Sequence, residues 1–405
     1  MSPPAALHHD AIILGAGGAG LMCAAQAGQR GRRVLVIDHA DAPGKKILIS
    51  GGGRCNFTNV NATSGFAADR YLSANAHFAK SALGRYTPAD FIDLVRAHGI
   101  AFHEKTLGQL FCDGSARQIV AMLLAECDKA GQAGGAVDFH YGEGVTAVDH
   151  AGGDYRVTVG GQTHVAPSLV VATGGPSIPK MGASGFAYDL ARRFGLKVVE
   201  PRPALVPLTL GGDDVLFREL SGVSADVVAK HGRTGFAEAA LFTHRGLSGP
   251  AILQISSYWR PGDAIGIDFL PGVDGGAMLV AAKRAAPRSS VRAVLDRHLS
   301  ARLADALAGR IALAGNLADQ SDAKLAAAGA RLSNWRFTPN GSEGYAKAEV
   351  TLGGVSTADL SQQTLEARRV PGLFVIGEAV DVTGWLGGYN FQWAWASGVA
   401  AGEGV

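Results

Sequence analysis

The sequence is short of several things. Of its 405 residues only 18 % are charged and 7 % aromatic, and four are cysteine. Lys and Arg number 37 against 35 Asp and Glu, a formal net charge of +2. So even a balance gives no electrostatic reason to expect nucleic acid or an anionic membrane as a partner. Cys23, Cys55, Cys112 and Cys127 have no CxxC spacing and no disulfide framework, which favours a reducing compartment. No metal-ligand spacing stands out. The N-terminus lacks a basic segment followed by an apolar core and a cleavage site. Two uncharged stretches, 11–29 and 382–402, are interrupted by glycines, and the second holds Asn390, Gln392 and Trp393. Neither reads as a membrane span. A cytoplasmic protein is expected.

Glycine, by contrast, is abundant: 56 residues, about double the ordinary share of roughly 7 %. It follows no three-residue period, and 47 % of the chain is hydrophobic, so neither a collagen repeat nor disorder fits. The glycines belong to turns and to places where backbone approaches something closely. The apolar content suffices for two domains or more.

The first forty residues alternate as strand, glycine cluster, helix and strand: Asp10–Leu14, Gly15–Gly20, Leu21–Gly28 and Arg33–Ile37. This pitch argues for a parallel sheet in an α/β fold. Pro88–His98 and Ala116–Ala130 have helical periodicity. Val137–Asp149 and Tyr155–Val159 read as strands of a small sheet, and Leu169–Ala172 as a buried strand. From about Gly195 short alternating runs suggest an antiparallel sheet or barrel, followed by an Ala-, Leu- and Arg-rich helical stretch from Ala281 to Ala330. Its arginines have no interleaved aromatics, so they read as a solvated helix face. After Trp335 the strand–turn pattern resumes. The expected organisation is therefore a discontinuous nucleotide-binding domain, 1–195 with 333–405, interrupted by a mainly β insert with helices, 196–332.

Gly15-x-Gly17-x-x-Gly20 lies between a strand and a helix, with Gly15, Ala16, Gly17, Gly18, Ala19 and Gly20 forming the turn. There the first glycine permits the bend and the second lets backbone approach a pyrophosphate. The third lets the helix pack on the sheet and face the phosphates with its N-terminus. Asp38 follows eighteen residues after Gly20, at the end of the second strand, suited to a ribose hydroxyl. An acidic residue there repels a 2′-phosphate, leaving FAD or NAD. Three further features favour FAD. Leu169–Ala172 leads into Thr173-Gly174-Gly175, and Leu373–Ile376 leads into Gly377-Glu378, a carboxylate for a ribityl chain. Gly387-Gly388-Tyr389-Asn390 precedes a helix whose amides suit the electron-rich end of a flavin.

Two segments are more specific. Gly44-Lys45-Lys46-Ile47-Leu48-Ile49-Ser50-Gly51-Gly52-Gly53-Arg54-Cys55-Asn56-Phe57-Thr58-Asn59 resembles the signature of the YhiN/BaiN-like bacterial flavoproteins, which include aminoacetone-oxidase-like proteins. The resemblance recurs in Phe242–Pro250 and Val350–Gly398, while Cys112 after Phe111 and Thr383–Leu386 mark a sub-branch. It implies a Rossmann-type, two-dinucleotide-type flavoprotein with bound FAD and an inserted substrate domain. It also implies that Gly15–Gly20, Asp38 and His39 hold the adenosine diphosphate end. Lys46, Arg54, Cys55 and Asn56 lie along the cofactor, Val145 touches adenine through its backbone, and Thr173 and Gly174 flank the nucleotide. Gly377, Glu378, Gly388, Tyr389, Asn390, Phe391 and Gln392 serve the ribityl and isoalloxazine.

The function expected is that of an FAD-dependent oxidoreductase acting on a small organic substrate, with no nucleic acid and no membrane involved. NAD(P)H as a transient reductant and O2 as an acceptor are both open. The competing reading is a flavin-binding sensor or electron-carrying protein without turnover of its own. His244 is a candidate general acid or base, with Arg245 beside it for a carboxylate; a capped turn competes for both. Cys55 has no partner at disulfide-reductase spacing, and a buried cysteine is usually inert.

Overall fold

Ala-Ile-Ile-Leu at 11–14 is buried at every position, which suits a strand covered on both faces of a parallel sheet. It is β1 of five. With Arg33–Asp38 (β2), Ala136–Tyr141 (β3), Ser168–Val171 (β4) and Leu373–Val375 (β5), it forms a parallel sheet in the order β5-β4-β1-β2-β3. The computed structural model describes residues 6–405. Helix Gly18–Gln29 (α1) packs on this sheet, and the C-terminal helix Tyr389–Gly404 (α2) packs along α1. They approach closely through small residues one turn apart. A Cβ on Gly398 would fall 2.6 Å from the Ala19 carbonyl oxygen, and one on Gly402 would fall 2.8 Å from that of Cys23. Trp395 anchors α2, stacked on Phe91 at 4.6 Å and donating its indole N–H to the Phe57 carbonyl at 2.8 Å.

One strand assignment is corrected. The run 137–149 is not one strand of a small sheet. Gly142, at φ +85°, ends β3 with its N–H on the Asp38 and Ala40 carbonyls. The first half therefore completes the nucleotide-type sheet. Only Val145–Ala151 joins a separate four-stranded sheet with Asp154–Val159, Gln162–Ala166 and Leu7–His8.

The chain divides into two compact units, Met1–Arg202 with Val350–Val405, and Pro203–Glu349. The second unit holds an antiparallel seven-stranded sheet around Phe217, Phe242, Phe269, Trp335 and Phe337. Helices Gly275–Ala285, Val291–Leu295, Ala301–Ile311 and Asp322–Leu332 accompany it. Its limits differ from the 196–332 drawn on sequence pattern. Trp335–Phe337 and Gly341–Ser342 sit at the two edges of this sheet, so the chain returns to the first unit only after Glu349. Among the described residues no helix is long and apolar enough to cross a membrane.

Candidate functional site

β1 runs into Gly15, whose φ of +110° and whose position 2.6 Å from the Ala172 carbonyl oxygen (measured from an added Cβ) exclude a side chain. The same construction on Gly20 ends 1.9 Å from the Gly15 oxygen, so the third glycine is required by helix-on-strand contact. Gly17 differs. It opens α1 with no side-chain cap, and a Cβ there would meet none of the described atoms within 4 Å. The first amides of α1 have no acceptor within the helix, beside space that the loop keeps clear. Asp38 fastens this loop. Its Oδ2 accepts from Ala16 N at 2.7 Å and its Oδ1 from Ala40 N at 2.9 Å. His39 lies next to it, Nδ1 3.6 Å from Asp38 Oδ1. With Lys45 and Lys180 it lines a cavity of about 300 Å³.

A second cluster assembles from distant segments. Lys46 stands in the short helix Lys45–Ile49, which follows left-handed Gly44, and Gly44 N is bound to the Ala16 carbonyl. Lys46 Nζ meets Glu378 Oε2 at 2.8 Å and Ser177 Oγ at 2.6 Å. Glu378 Oε1 accepts from Ser177 Oγ at 2.6 Å and from Thr351 N at 3.0 Å. The turn that presents Glu378 starts at Gly377, φ +64°, whose N–H is held by Ser397 Oγ and whose carbonyl accepts from the Trp393 indole. Gly174, also left-handed, faces the same carboxylate: a Cβ on it would lie 3.7 Å from Glu378 Oε2. Beside it the Thr173 hydroxyl is buried without a hydrogen-bond partner among the described residues. Ser177 and Thr351 were not read from the sequence, because neither carries a local motif.

The remaining expected residues are placed as follows. Arg54 is exposed after the left-handed run Gly51–Gly53. Cys55 is fully buried at φ +51°, and burial pushes its thiol up to about 12, so it is not a thiolate at neutral pH. The Asn56 amide lies 3.1 Å from that of Gln109. Val145 begins its strand opposite Val159 at a register shift. The Tyr389 hydroxyl meets Arg70, whose guanidinium also covers the Phe66 ring at 4.4 Å and the Trp385 ring at 5.7 Å. Arg70 too had no sequence signal.

The side chains at the start of α2 are largely occupied by protein. Asn390 clasps Gly384 through both its N–H and its carbonyl, Phe391 stacks on Trp395, and Gln392 is buried between Thr58 Oγ1 and the Tyr86 carbonyl. What this segment presents is chiefly backbone, with Gly388 at φ +94° against Thr58. His244 belongs to the second unit, at the tip of a tight turn closed by Thr243 and Gly246. It is exposed, and its ring makes no hydrogen bond or ion pair among the described residues, while Arg245 lies 3.8 Å from Glu343.

The family model for the HI0933-like protein Rossmann domain matches residues 9–404. The chain belongs to this family. HI0933-like proteins are Rossmann flavoproteins of FAD-binding oxidoreductase type, the group expected from the Gly44–Asn59 signature. Relatives include the ribosomal RNA dihydrouridine synthase of Escherichia coli K12, 52 % identical over 403 residues and 97 % of each chain. The protein of the same name from Haemophilus influenzae is 45 % identical over 404 residues, again 97 % of each chain. The 3-dehydro-bile acid delta(4,6)-reductase of Clostridium scindens is 28 % identical over 422 residues, 96 % of this chain and 97 % of the other. Among solved structures, the 3-ketosteroid-delta4-(5alpha)-dehydrogenase of Rhodococcus jostii RHA1 aligns over 99 % of this chain and 98 % of its own, with a TM-score of 0.50 and 12 % identity, a likeness of fold. The residues present suit the family's cofactor. The space above Gly17, the unpartnered Thr173 hydroxyl and the Lys46–Glu378 pair offer a diphosphate and a polyol chain donors and acceptors of the right kind.

Proposed function

We propose that this protein is an FAD-dependent reductase that saturates the C5=C6 double bond of a uridine in ribosomal RNA, drawing its electrons from NAD(P)H. The observation that carries this reading is the 52 % identity, over 97 % of both chains, to a protein named ribosomal RNA dihydrouridine synthase. It replaces two expectations: a small organic substrate, implied by the family resemblance, and no nucleic-acid partner, which rested on overall charge balance. The reaction balances as uridine, NAD(P)H and one proton giving dihydrouridine and NAD(P)⁺. The uracil C5=C6 bond is conjugated to the C4 carbonyl. The bile-acid relative's name describes a comparable alkene, conjugated to a 3-keto group, so one type of hydride acceptor covers both.

In this reading the amides of Gly17–Gly20 hold the pyrophosphate and Asp38 the adenosine ribose, with Lys46, Thr173 and Glu378 along the polyol chain. FAD, when bound, supplies two-electron hydride chemistry. The protein's own contribution is position and charge. Ser177 and the Thr351 N–H both donate to Glu378 Oε1, leaving Oε2 to hold Lys46, so the cation stays where anionic phosphate or developing negative charge would need it. The test is incubation of purified protein and NAD(P)H with ribosomal RNA from cells lacking the enzyme, followed by nucleoside mass spectrometry. A nucleoside of uridine mass plus two hydrogens, formed only when both protein and reductant are present, is expected. Flavin that is reduced by NAD(P)H but leaves this RNA unchanged would overturn the reading.

A further inference from the structure

The near-neutral net charge hides a strongly uneven distribution. Between 283 and 302 there are six Lys and Arg and a single acidic residue, Asp296, so this run carries +5 while the whole chain carries +2. We infer that this run, on the helical side of the second unit, is the surface that grips the phosphate backbone of the RNA substrate. The inference rests on the ribosomal RNA reading above, and deepens it.

The fold turns these cations outward. The run starts in the last turn of Gly275–Ala285, passes through Val291–Leu295 and ends in the first turn of Ala301–Ile311. These helices pack together through Leu279, Val291, Val294, Leu295, Leu303 and Leu307, all buried. The apolar positions being spent on the core, Arg284, Arg288, Arg292, Arg297 and Arg302 are left exposed.

Folding neutralises only part of the charge. Lys283 pairs with Asp322 at 2.9 Å, and Arg292 with Asp305 at 3.1 Å. Arg302 donates to the carbonyls of Glu219 and Ser221, which fixes its direction but leaves its charge. The side chains of Arg284, Arg288 and Arg297 make no hydrogen bond and no ion pair within 4 Å among the described residues, although Arg284 is near enough to Asp322 to help hold that carboxyl low. An exposed guanidinium that serves no protein partner is available to a phosphate, and its planar fork suits two phosphate oxygens at once. The run has no Phe, Tyr or Trp, and its one ring, exposed His298, stands alone among the guanidinium groups, so it supplies chiefly backbone affinity and not sequence choice.

The test uses holoenzyme and deproteinised ribosomal RNA, with binding measured over a range of salt. Each phosphate neutralised contributes roughly 0.7–0.9 to the slope of log affinity against log salt. The triple variant Arg284→Gln/Arg288→Gln/Arg297→Gln should therefore bind roughly tenfold or more weakly near 0.1 M salt, with a slope shallower by about 2–3. Its FAD content and its rate of flavin reduction by NAD(P)H should match the unmodified enzyme. The corresponding triple Lys variant, which keeps the charge, should restore the slope. Arg117→Gln/Arg156→Gln, exposed cations outside the run, should leave it unchanged. If the unmodified enzyme converts the RNA and the Gln triple binds with the same affinity and slope, the surface assignment fails and the functional reading stands. If the unmodified enzyme neither converts nor binds the RNA, the functional reading fails and takes this surface with it.

Discussion

Lys46 Nζ stands 2.8 Å from Glu378 Oε2, although 332 positions separate the two residues in the chain. Ser177 bonds to both, so the three side chains form a closed polar triangle at the C-terminal ends of β4 and β5. Such a triangle is costly to leave half-satisfied. Lys46→Met should weaken FAD retention by ~1–3 kcal/mol, about five- to 150-fold, since it leaves Glu378 a charge without its cation. Equilibrium dialysis of FAD against apo-protein checks this, and unchanged affinity would remove Lys46 from the site.

Two glycines of one loop should behave oppositely. Gly20→Ala puts a methyl 1.9 Å from the Gly15 oxygen, so the apo-protein itself should lose stability or fail to fold. Gly17→Ala meets no described atom within 4 Å, so the apo-protein should melt as before while FAD retention falls, because the methyl occupies the space a pyrophosphate needs. Thermal melts of the two apo-variants, with flavin content beside them, separate the cases. Equal loss of stability in both would contradict the assignment of Gly17 to a ligand.

Features encoded within a short stretch of chain can be read from the sequence, and those assembled from distant segments cannot. The glycine loop, β1, β2 and Asp38 are encoded within forty residues, and the structure has them at the expected places. The Lys46–Ser177–Glu378 triangle was half visible: Lys46 and Glu378 were candidates separately, but only the parallel sheet order brings their segments together. Strand Thr234–Phe242, one of the longest in the protein, went unread because Gly, Ala and Glu blur its alternation. The membership of β3 in the parallel sheet was missed for a related reason. A run of strand-forming residues does not show that Gly142 cuts it in two. The side chains of Asn390 and Gln392 look like ligands in sequence, yet they bind Gly384, Thr58 and the Tyr86 carbonyl, contacts no local pattern encodes.

Cys55 should be unreactive in the folded protein. Burial pushes its thiol up to about 12, and Cys112 nearby is raised to about 11 for the same reason. Between pH 7 and 9 both stay protonated, and the thiolate is the nucleophile. Native protein at pH 8 should therefore resist iodoacetamide at Cys55 and react there once unfolded, as peptide mass mapping would show. Rapid native alkylation would reopen a redox role.

Asp381 offers a pH test. It is 3 % exposed, its carboxyl is raised by burial, and its Oδ2 accepts from Ala74 N at 2.9 Å. A raised folded value means that the native state binds this proton more tightly than the unfolded chain does. The ionised group therefore penalises folding above that value, and the penalty disappears as pH falls through it and then through the ordinary carboxylate range. Asp381→Asn keeps an acceptor without the charge. Its Tm should exceed that of the unmodified protein at pH 7–8 by a few degrees, with the gap closing toward pH 4. A gap that widens on acidification would show that the ionised carboxylate is stabilised by its surroundings.

In the proposed function Gly15–Gly20, Asp38, Lys46 and Glu378 together form a site for FAD. The most direct measurement is the identity and amount of cofactor released by acid from the purified protein, followed by chromatography. FAD at about one per chain, or FAD taken up to that level on reconstitution, is the predicted result. Release of FMN, or no flavin bound after faithful reconstitution with FAD, would contradict it.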